Sequence, residues 1–485
     1  MSTAIEGLKP PLVWKYFAAI SRIPRGSKNE KAVAKFVVDT ARALGLSARQ
    51  DAVGSVVVKK PASAGREHGP SVCLQGHLDM VCEKNAGTKH DFSKDPIQLV
   101  RKDNLMMADG TTLGADNGIA VATNLAIMED RSLVHGPLEL LFTVDEETGL
   151  TGANALQPGF LASKTLLNLD SEEEGELYVG CSGGKDCTGT WTLQVEPAAA
   201  GLVAFDVKVS GLKGGHSGLE IDKGRGNALK IINRVLLRLS GLGGRIARID
   251  GGNKRNAIPR EASALLFVPK AKLGDAKAIV AEMNGTAKAE LATVEPDLLV
   301  SASQAQGVKK ARVLKRNLQK KLLLTIAGLP HGVIKMSADI PGLVETSTNL
   351  AMMTTGKKDI TLATSQRSSV ASEIVEINDS VQAVFALGGA VATGSDGYPG
   401  WKPNLDSPIL KLAKETYQSM YGKEPAVKAV HAGLECGIIG EKFPGMDMVS
   451  FGPTLQGVHS PDEKIYIDSV EKYWNFLLAI LRNVH

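Results

Sequence analysis

Gln75-Gly76-His77-Leu78-Asp79-Met80-Val81, entered from the apolar Ser71-Val72-Cys73-Leu74, is the stretch on which the fold turns. The apolar run reads as a short buried strand, so His77 and Asp79 lie near its carboxyl end. A side-chain period of two puts both on one face. In open α/β sheets the carboxyl ends of strands are where ligands bind. An imidazole beside a carboxylate at such a place is what a metal site needs: a ligand and a group to hold it.

Working outward, other segments end the same way. Leu138 to Val144 is a continuous apolar strand running into Asp145-Glu146-Glu147-Thr148-Gly149, and Thr165 to Leu169 is another, ending at Asp170. Gly114-Ala115-Asp116-Asn117-Gly118 leads into a helix over Ile119 to Met128. Three buried strands with helices between them, each ending in acid, predict a parallel-rich α/β sheet. Upstream, apolar spacing predicts helices over Leu12 to Ile20 and Lys28 to Leu44, the second capped by Gly45, and a strand over Ala52 to Lys59. Lys102-Asp103-Asn104 reads as the turn of a hairpin.

After about Gly184 the pattern changes to alternating strands and helices with few acids at strand ends, including a strand at Phe205 to Val209 and a helix at Asn227 to Leu239. This predicts an α+β domain inserted into the first. Gly394 to Asn404 reads as the return linker, followed by a helix at Ser407 to Tyr421 and a last one from Ser469. The expected domains are 1–184 and 398–485, together catalytic, and 185–397 between them.

Composition narrows the function. The chain has 485 residues, 43% hydrophobic, with a formal net charge of only +4, so nothing calls for a nucleic acid or anionic membrane partner. One basic run, Lys309 to Lys321, carries seven Lys or Arg without an aromatic and reads as a solvated helix face. Five cysteines (73, 82, 181, 187, 436) form no CxxC pair, which suits a reducing compartment. No apolar run reaches the roughly 18 residues of a membrane span, and Met1 to Pro11 has no apolar signal core. The expected location is cytoplasmic.

The strand-end residues are His77, Asp79, Asp116, Glu146, Glu147, Asp170 and, far downstream, His459. Singly, each has a plain reading: a hydrogen-bonded core pair, surface charge, a helix N-cap. Their convergence on one sheet edge changes the balance, because that much buried negative charge is strongly unfavourable without cations. Two histidines and several carboxylates favour zinc, with manganese or cobalt as alternatives. Gly180-Cys181-Ser182-Gly183-Gly184 fits the nucleophile-elbow pattern, but the residues after it are polar and strand-like rather than helical, so an interdomain hinge is the better account. His68, His90, His135, His331 and His485 have no carboxylate partner at ligand spacing and read as surface residues, with His431 undecided.

The ordered motifs HLDMV, GTTLGADNGIA, DEETG, LLNLDSEEEGEL, GGHSG and GVHSPDE resemble the co-catalytic dizinc peptidases, which include carboxypeptidases, aminoacylases and dipeptidases. The resemblance spans nearly the whole chain. It implies a mixed-sheet metallopeptidase domain interrupted by an α+β lid and dimerisation domain, and two Zn2+ per subunit. Asp116 would bridge the ions, with His77 and Asp170 completing one site and Glu147 and His459 the other. Asp79 would orient the His77 ring. Glu146 would act on a metal-activated bridging water as general base and then as general acid. His216 in GGHSG, otherwise a helix-entry histidine, would stabilise the oxyanion, often from the partner subunit of a homodimer. Asn256 and Arg367, otherwise a turn residue and a surface charge, would bind the substrate carboxylate, with Gly433 as a backbone contact. The implied reaction is hydrolysis of unblocked dipeptides, Xaa-His such as β-alanyl-histidine among them. Cleavage of N-acyl amino acids, carboxypeptidase action or a non-catalytic scaffold are the alternatives.

Overall fold

The segment up to Cys181 supplies β1 (Ser47–Gln50), β2 (Val56–Lys60), β3 (Val72–His77), β4 (Leu99–Lys102), β5 (Leu105–Ala108), β6 (Leu138–Thr143), β7 (Thr165–Asn168) and β8 (Glu176–Cys181). Between them lie α1 (Pro11–Ile20), α2 (Lys31–Ala43) and α3 (Ala115–Glu129). The structure is a computed structural model that describes residues 3–305 and 312–484. Its contacts define two compact units: Met1–Gly180 with Trp401–Ala429 and Leu434–His485, and Cys181–Gly400 with Val430–Gly433.

In the first unit an eight-stranded sheet runs β1, β2, β6, β3, β7, Asp447–Ser450, β8, Ala426–Val430. The four central strands, β6, β3, β7 and Asp447–Ser450, are mutually parallel. The flanking pairs β1/β2 and β2/β6 are antiparallel, so the sheet is mixed. Strands β3 and β6 are buried at every residue, as parallel strands covered on both faces must be. Packing of α3 on β3 depends on Gly76: a Cβ there would collide with Asn117 Oδ1 and come within 2.6 Å of Ala120 Cβ. A smaller sheet pairs β4, β5, Lys464–Tyr466 and Leu455–Gln456, with Asp103 at φ 51° in the β4–β5 turn.

The second unit is an antiparallel sheet of nine strands, among them Gly183–Thr192, Leu202–Ser210, Ala262–Pro269, Val344–Thr355 and Asp359–Ser368. Buried residues of helices Ala228–Gly241, Leu273–Glu290, Arg316–Gly328 and Ala371–Leu387 share its core. Asn227 caps the first of these, its side chain accepting from the amides of Leu229 and Lys230. Gly183–Thr192 is a strand, so Ser182 opens no helix and cannot form a nucleophile elbow. Lys309 and Lys310 of the basic run lie outside the described residues. Lys315, Arg316, Lys320 and Lys321 are exposed.

Several expectations need correction. The strand expected from Ala52 begins at Val56, and Ser47–Gln50 is a strand of its own. The Asp51 carboxylate accepts from the amides of Val53, Gly54 and Ser55 and so turns the chain between them. Helix α3 opens with a kinked turn at Ala115, but Asp116 and Asn117 are not helical, so its regular part starts about where it was expected, at Ile119. His135 is not a surface residue: it is 2% exposed, its ring bonded to the Gly136 carbonyl. His90 and His331 are half-buried, and His485 lies outside the described residues. Among the described residues no helix is long and apolar enough to cross a membrane. None of the five cysteines is in a disulfide, and only Cys82 is exposed.

Candidate metal centre

His77 is the last residue of β3 and pairs in register with Thr143, the last residue of β6. Glu146 and Glu147 open the short helix that follows β6. Asp170 lies two residues beyond β7. The parallel register therefore brings three carboxyl ends to one edge. Asp116 joins them from the first turn of α3, where its backbone is not helical (φ −79°, ψ 112°) and its peptide bond to Asn117 is cis. Asn117 pins this turn to the strand ends, accepting from the His77 amide at 3.1 Å and donating to the Leu169 carbonyl at 2.9 Å. His459 arrives from the loop before Lys464–Tyr466, in left-handed conformation (φ 61°).

The side chains converge on Asp116. His77 Nε2 lies 3.1 Å from Asp116 Oδ1 and 3.5 Å from Asp170 Oδ1. On the other oxygen, His459 Nε2 lies 3.1 Å from Asp116 Oδ2 and 3.0 Å from Glu147 Oε2. Each trio, His77–Asp116–Asp170 and Asp116–Glu147–His459, has ligand atoms within 4.8 Å of one another, the spread of a metal site. Glu146 falls in neither, although it groups with His77 and Glu147.

Asp79 lies behind the cluster and is fully buried. One oxygen faces His77 Nδ1 at 3.3 Å and accepts from the Glu146 amide at 3.0 Å. The other accepts from the Glu147 amide at 3.2 Å and the Ser27 hydroxyl at 2.8 Å. Burial would raise its carboxyl, but the His77 ring and these donors hold it down at about 2. Asp79 therefore fixes the backbone of the glutamate pair and sets a carboxylate against the imidazole.

The electrostatics define what the cluster lacks. Burial would lower the His77 ring, but Asp170, Asp116 and Asp79 raise it well above the ordinary histidine value. His459 is raised to about 11 by hydrogen bonds with Asp116 and Glu147. Burial raises Asp170 to about 6 and Glu146 well above the carboxylate range. Glu147 Oε1 and Asp170 Oδ1 are buried and accept no hydrogen bond from any described residue. Orphaned anionic oxygens beside rings held cationic are the signature of a site built for positive charge. This donor set, nitrogen and oxygen without thiolate, fits divalent zinc, manganese or cobalt.

Comparison with known proteins agrees with the geometry. Residues 73–483 match the model of peptidase family M20/M25/M40. The chain belongs to this peptidase family. The peptidase is 41% identical to the cytosol non-specific dipeptidase of Escherichia coli over 481 residues, 99% of each chain. Its structure resembles that of the aminoacylhistidine dipeptidase from Vibrio alginolyticus with a TM-score of 0.91, at 41% identity, covering 99% of this chain and 98% of the other. A tripeptidase from Staphylococcus aureus shares the fold at a TM-score of 0.56 and 17% identity, covering 98% and 99%.

In the second unit of the peptidase, His216 Nδ1 accepts from the amides of Gly218 (3.2 Å) and Leu219 (3.1 Å). The ring proton must then sit on Nε2. Burial and the nearby Arg367 lower this ring to about 4, so it is neutral at pH 7. Asn256 is exposed, its carbonyl taking the Ser217 amide at 2.9 Å. Arg367 is not a surface charge: it is 7% exposed and donates to Tyr398 Oη (3.0 Å) and Ser217 Oγ (3.4 Å). Gly433 lies against the Tyr398 ring, where a Cβ would come within 2.9 Å. His431 is buried and shares a 2.7 Å hydrogen bond with Ser347 Oγ. Sequence reasoning missed Tyr398, which sits in the expected linker and whose only signal was an aromatic in GYPGW.

Proposed function

We propose that the protein is a dimetal dipeptidase that hydrolyses unblocked dipeptides, Xaa-His substrates such as β-alanyl-histidine among them. The observation that carries this reading is Asp116, whose two oxygens face two separate histidine–carboxylate sets. The names of the relatives, a non-specific dipeptidase and an aminoacylhistidine dipeptidase, supply the substrate class.

His77 and Asp170 would hold one ion and Glu147 and His459 the other, with Asp116 between them and zinc as the preferred metal. Bound there, the ions would polarise the scissile carbonyl and acidify water. Glu146 takes the proton from the attacking water and delivers it to the leaving amine. Supporting this, its amide is tied to Asp79 while its side chain stands outside both ligand trios. His216 offers Nε2–H to the oxyanion, a role supported by its fixed tautomer. Arg367 would bind the substrate carboxylate, joined by Asn256 and the Gly433 backbone. The inserted segment 185–397 is assigned the roles of lid and homodimer interface, and the setting is cytoplasmic.

The test is release of histidine from β-alanyl-histidine by protein stripped with a chelator, before and after zinc or manganese is restored. N-acetyl-histidine and a tripeptide serve as comparators. Metal-dependent cleavage of the free dipeptide above both comparators is expected. No cleavage of any dipeptide by metal-loaded protein would refute the assignment, and preference for N-acetyl-histidine would move it to an N-acyl amino acid hydrolase.

A further inference from the structure

The loop that carries Asp116 is held by a residue that the proposed reaction does not use. Four consecutive amides point at one carboxylate: Leu113 and Gly114 donate to Glu463 Oε2 at 2.7 and 2.9 Å, Ala115 and Asp116 to Oε1 at 2.7 and 3.3 Å. Glu463 is 2% exposed. Successive amides curled this way form a concavity that captures anions, and here the anion is a side chain of the same chain. The curl requires Gly114, whose φ of 69° is left-handed. A Cβ at this position would also sit 2.6 Å from the Arg25 guanidinium.

The carbonyl side of the same loop is held by Arg25, also 2% exposed. Its guanidinium donates to the Gly114 carbonyl and to the carbonyls of Leu78 (3.0 Å) and Asp79 (2.9 Å). The Gly114 residue thus lies between a buried cation at its C=O and a buried anion at its N–H. Glu463 stands four residues after His459, so a single carboxylate joins the His459 loop to the Asp116 loop. Arg25 joins that loop in turn to the HLD strand end.

We propose that Glu463 is the positioning residue for Asp116: it sets the bridging carboxylate between the two ligand sets before any metal enters, with Arg25 bracing the opposite side of the loop. Resting on the dimetal reading, this assignment has a distinct consequence. Asp116 belongs to both trios, so loosening it must weaken both ions together rather than one. A Glu463→Gln side chain keeps the shape but offers only one oxygen, leaving two of the four amides facing an NH2 group.

Chelator-stripped full-length protein is titrated with zinc chloride by calorimetry, and amide exchange is followed by mass spectrometry on the segment containing Leu113 to Asp116. In the metal-free wild type these amides are expected to be protected, and two zinc ions to bind. Glu463→Gln is expected to lose that protection and to bind both ions about 10–100-fold more weakly. Glu463→Asp, one methylene too short to reach both amide pairs, should behave alike and serves if Glu463→Gln does not fold. Unchanged affinities in a folded variant would overturn the assignment, even with a lowered melting temperature, since that is what a merely structural residue would do. Rapid exchange of these amides in the metal-free wild type would overturn it without any variant. Failure of the wild type to bind zinc, manganese or cobalt would refute the dimetal reading instead, while the exchange measurement still judges the Glu463 clamp.

Discussion

Acidification should loosen the second unit through His431, and the size of the effect follows from its surroundings. The ring is 6% exposed. Burial, then Arg367, lowers it to about 3 against an ordinary 6.5; Asp222 opposes this and His216 adds to it. Between these values the unfolded chain binds a proton that the folded one refuses. The contribution to stability is therefore intact above pH 6.5 and falls steadily as pH drops towards 3. At pH 4.5, two units below the unfolded value, the deficit is on the order of 2–3 kcal/mol. His431→Gln removes the titrating ring and the Ser347 hydrogen bond, which costs about 1 kcal/mol at pH 7.5. Urea unfolding of the metal-free proteins should thus find the variant less stable than wild type at pH 7.5 and more stable at pH 4.5. A stability difference that stays constant between the two pH values would refute the reasoning.

Glu146→Gln should keep its full metal content, measured by elemental analysis, while kcat falls about 10²–10⁴-fold; near-normal turnover would reject the general-base role. His216→Ala should lower kcat about 10²–10³-fold without metal loss. If His216 acts across a dimer, mixing His216→Ala with Glu146→Gln subunits should restore measurable activity, and verified mixed dimers that stay inactive would place it in its own subunit's site. Tyr398→Phe removes the hydroxyl that accepts from Arg367; it should raise KM several-fold with kcat little changed, and an unaltered KM would separate Arg367 from substrate binding.

The parts of the site legible in the sequence are those where local pattern and chemistry coincide. An apolar run of strand length ending in His or acid is readable because burial and side-chain period act within a few residues, and β3, β6 and β7 are of this kind. Gly76 stands directly before His77, but its reason, the approach of α3, is a contact between segments some forty residues apart. Glu463 is the sharper case. It closes GVHSPDE in plain sight, yet nothing local marks its role, because its four donors lie about 350 residues upstream. Arg25 and His135 were missed for the same reason: a charged or polar residue in a loop is taken as solvated until tertiary contacts bury it. The glutamate pair had the opposite difficulty. Glu146 and Glu147 are adjacent and chemically identical, and only the folded backbone turns Glu147 towards His459.

The sheet order carries a consequence for synthesis. Strands β7 and β8 are neighbours in the chain but not in the sheet, because Asp447–Ser450 lies between them. When Cys181 leaves the ribosome, β7 therefore has one open edge beside a vacant slot, and β8 has no partner at all, because both its neighbours, Asp447–Ser450 and Ala426–Val430, are still to be made. The slot stays empty while the second unit and the segment after it are made, on the order of tens of seconds at usual elongation rates. His459, which lies beyond the inserted strand, comes later still. Newly made chains thus pass through a long interval with unpaired, aggregation-prone strand edges, and until His459 is made the proposed ligand set is incomplete. On the proposed ligand set, a chain terminated before His459 would be an inert product rather than an unregulated peptidase.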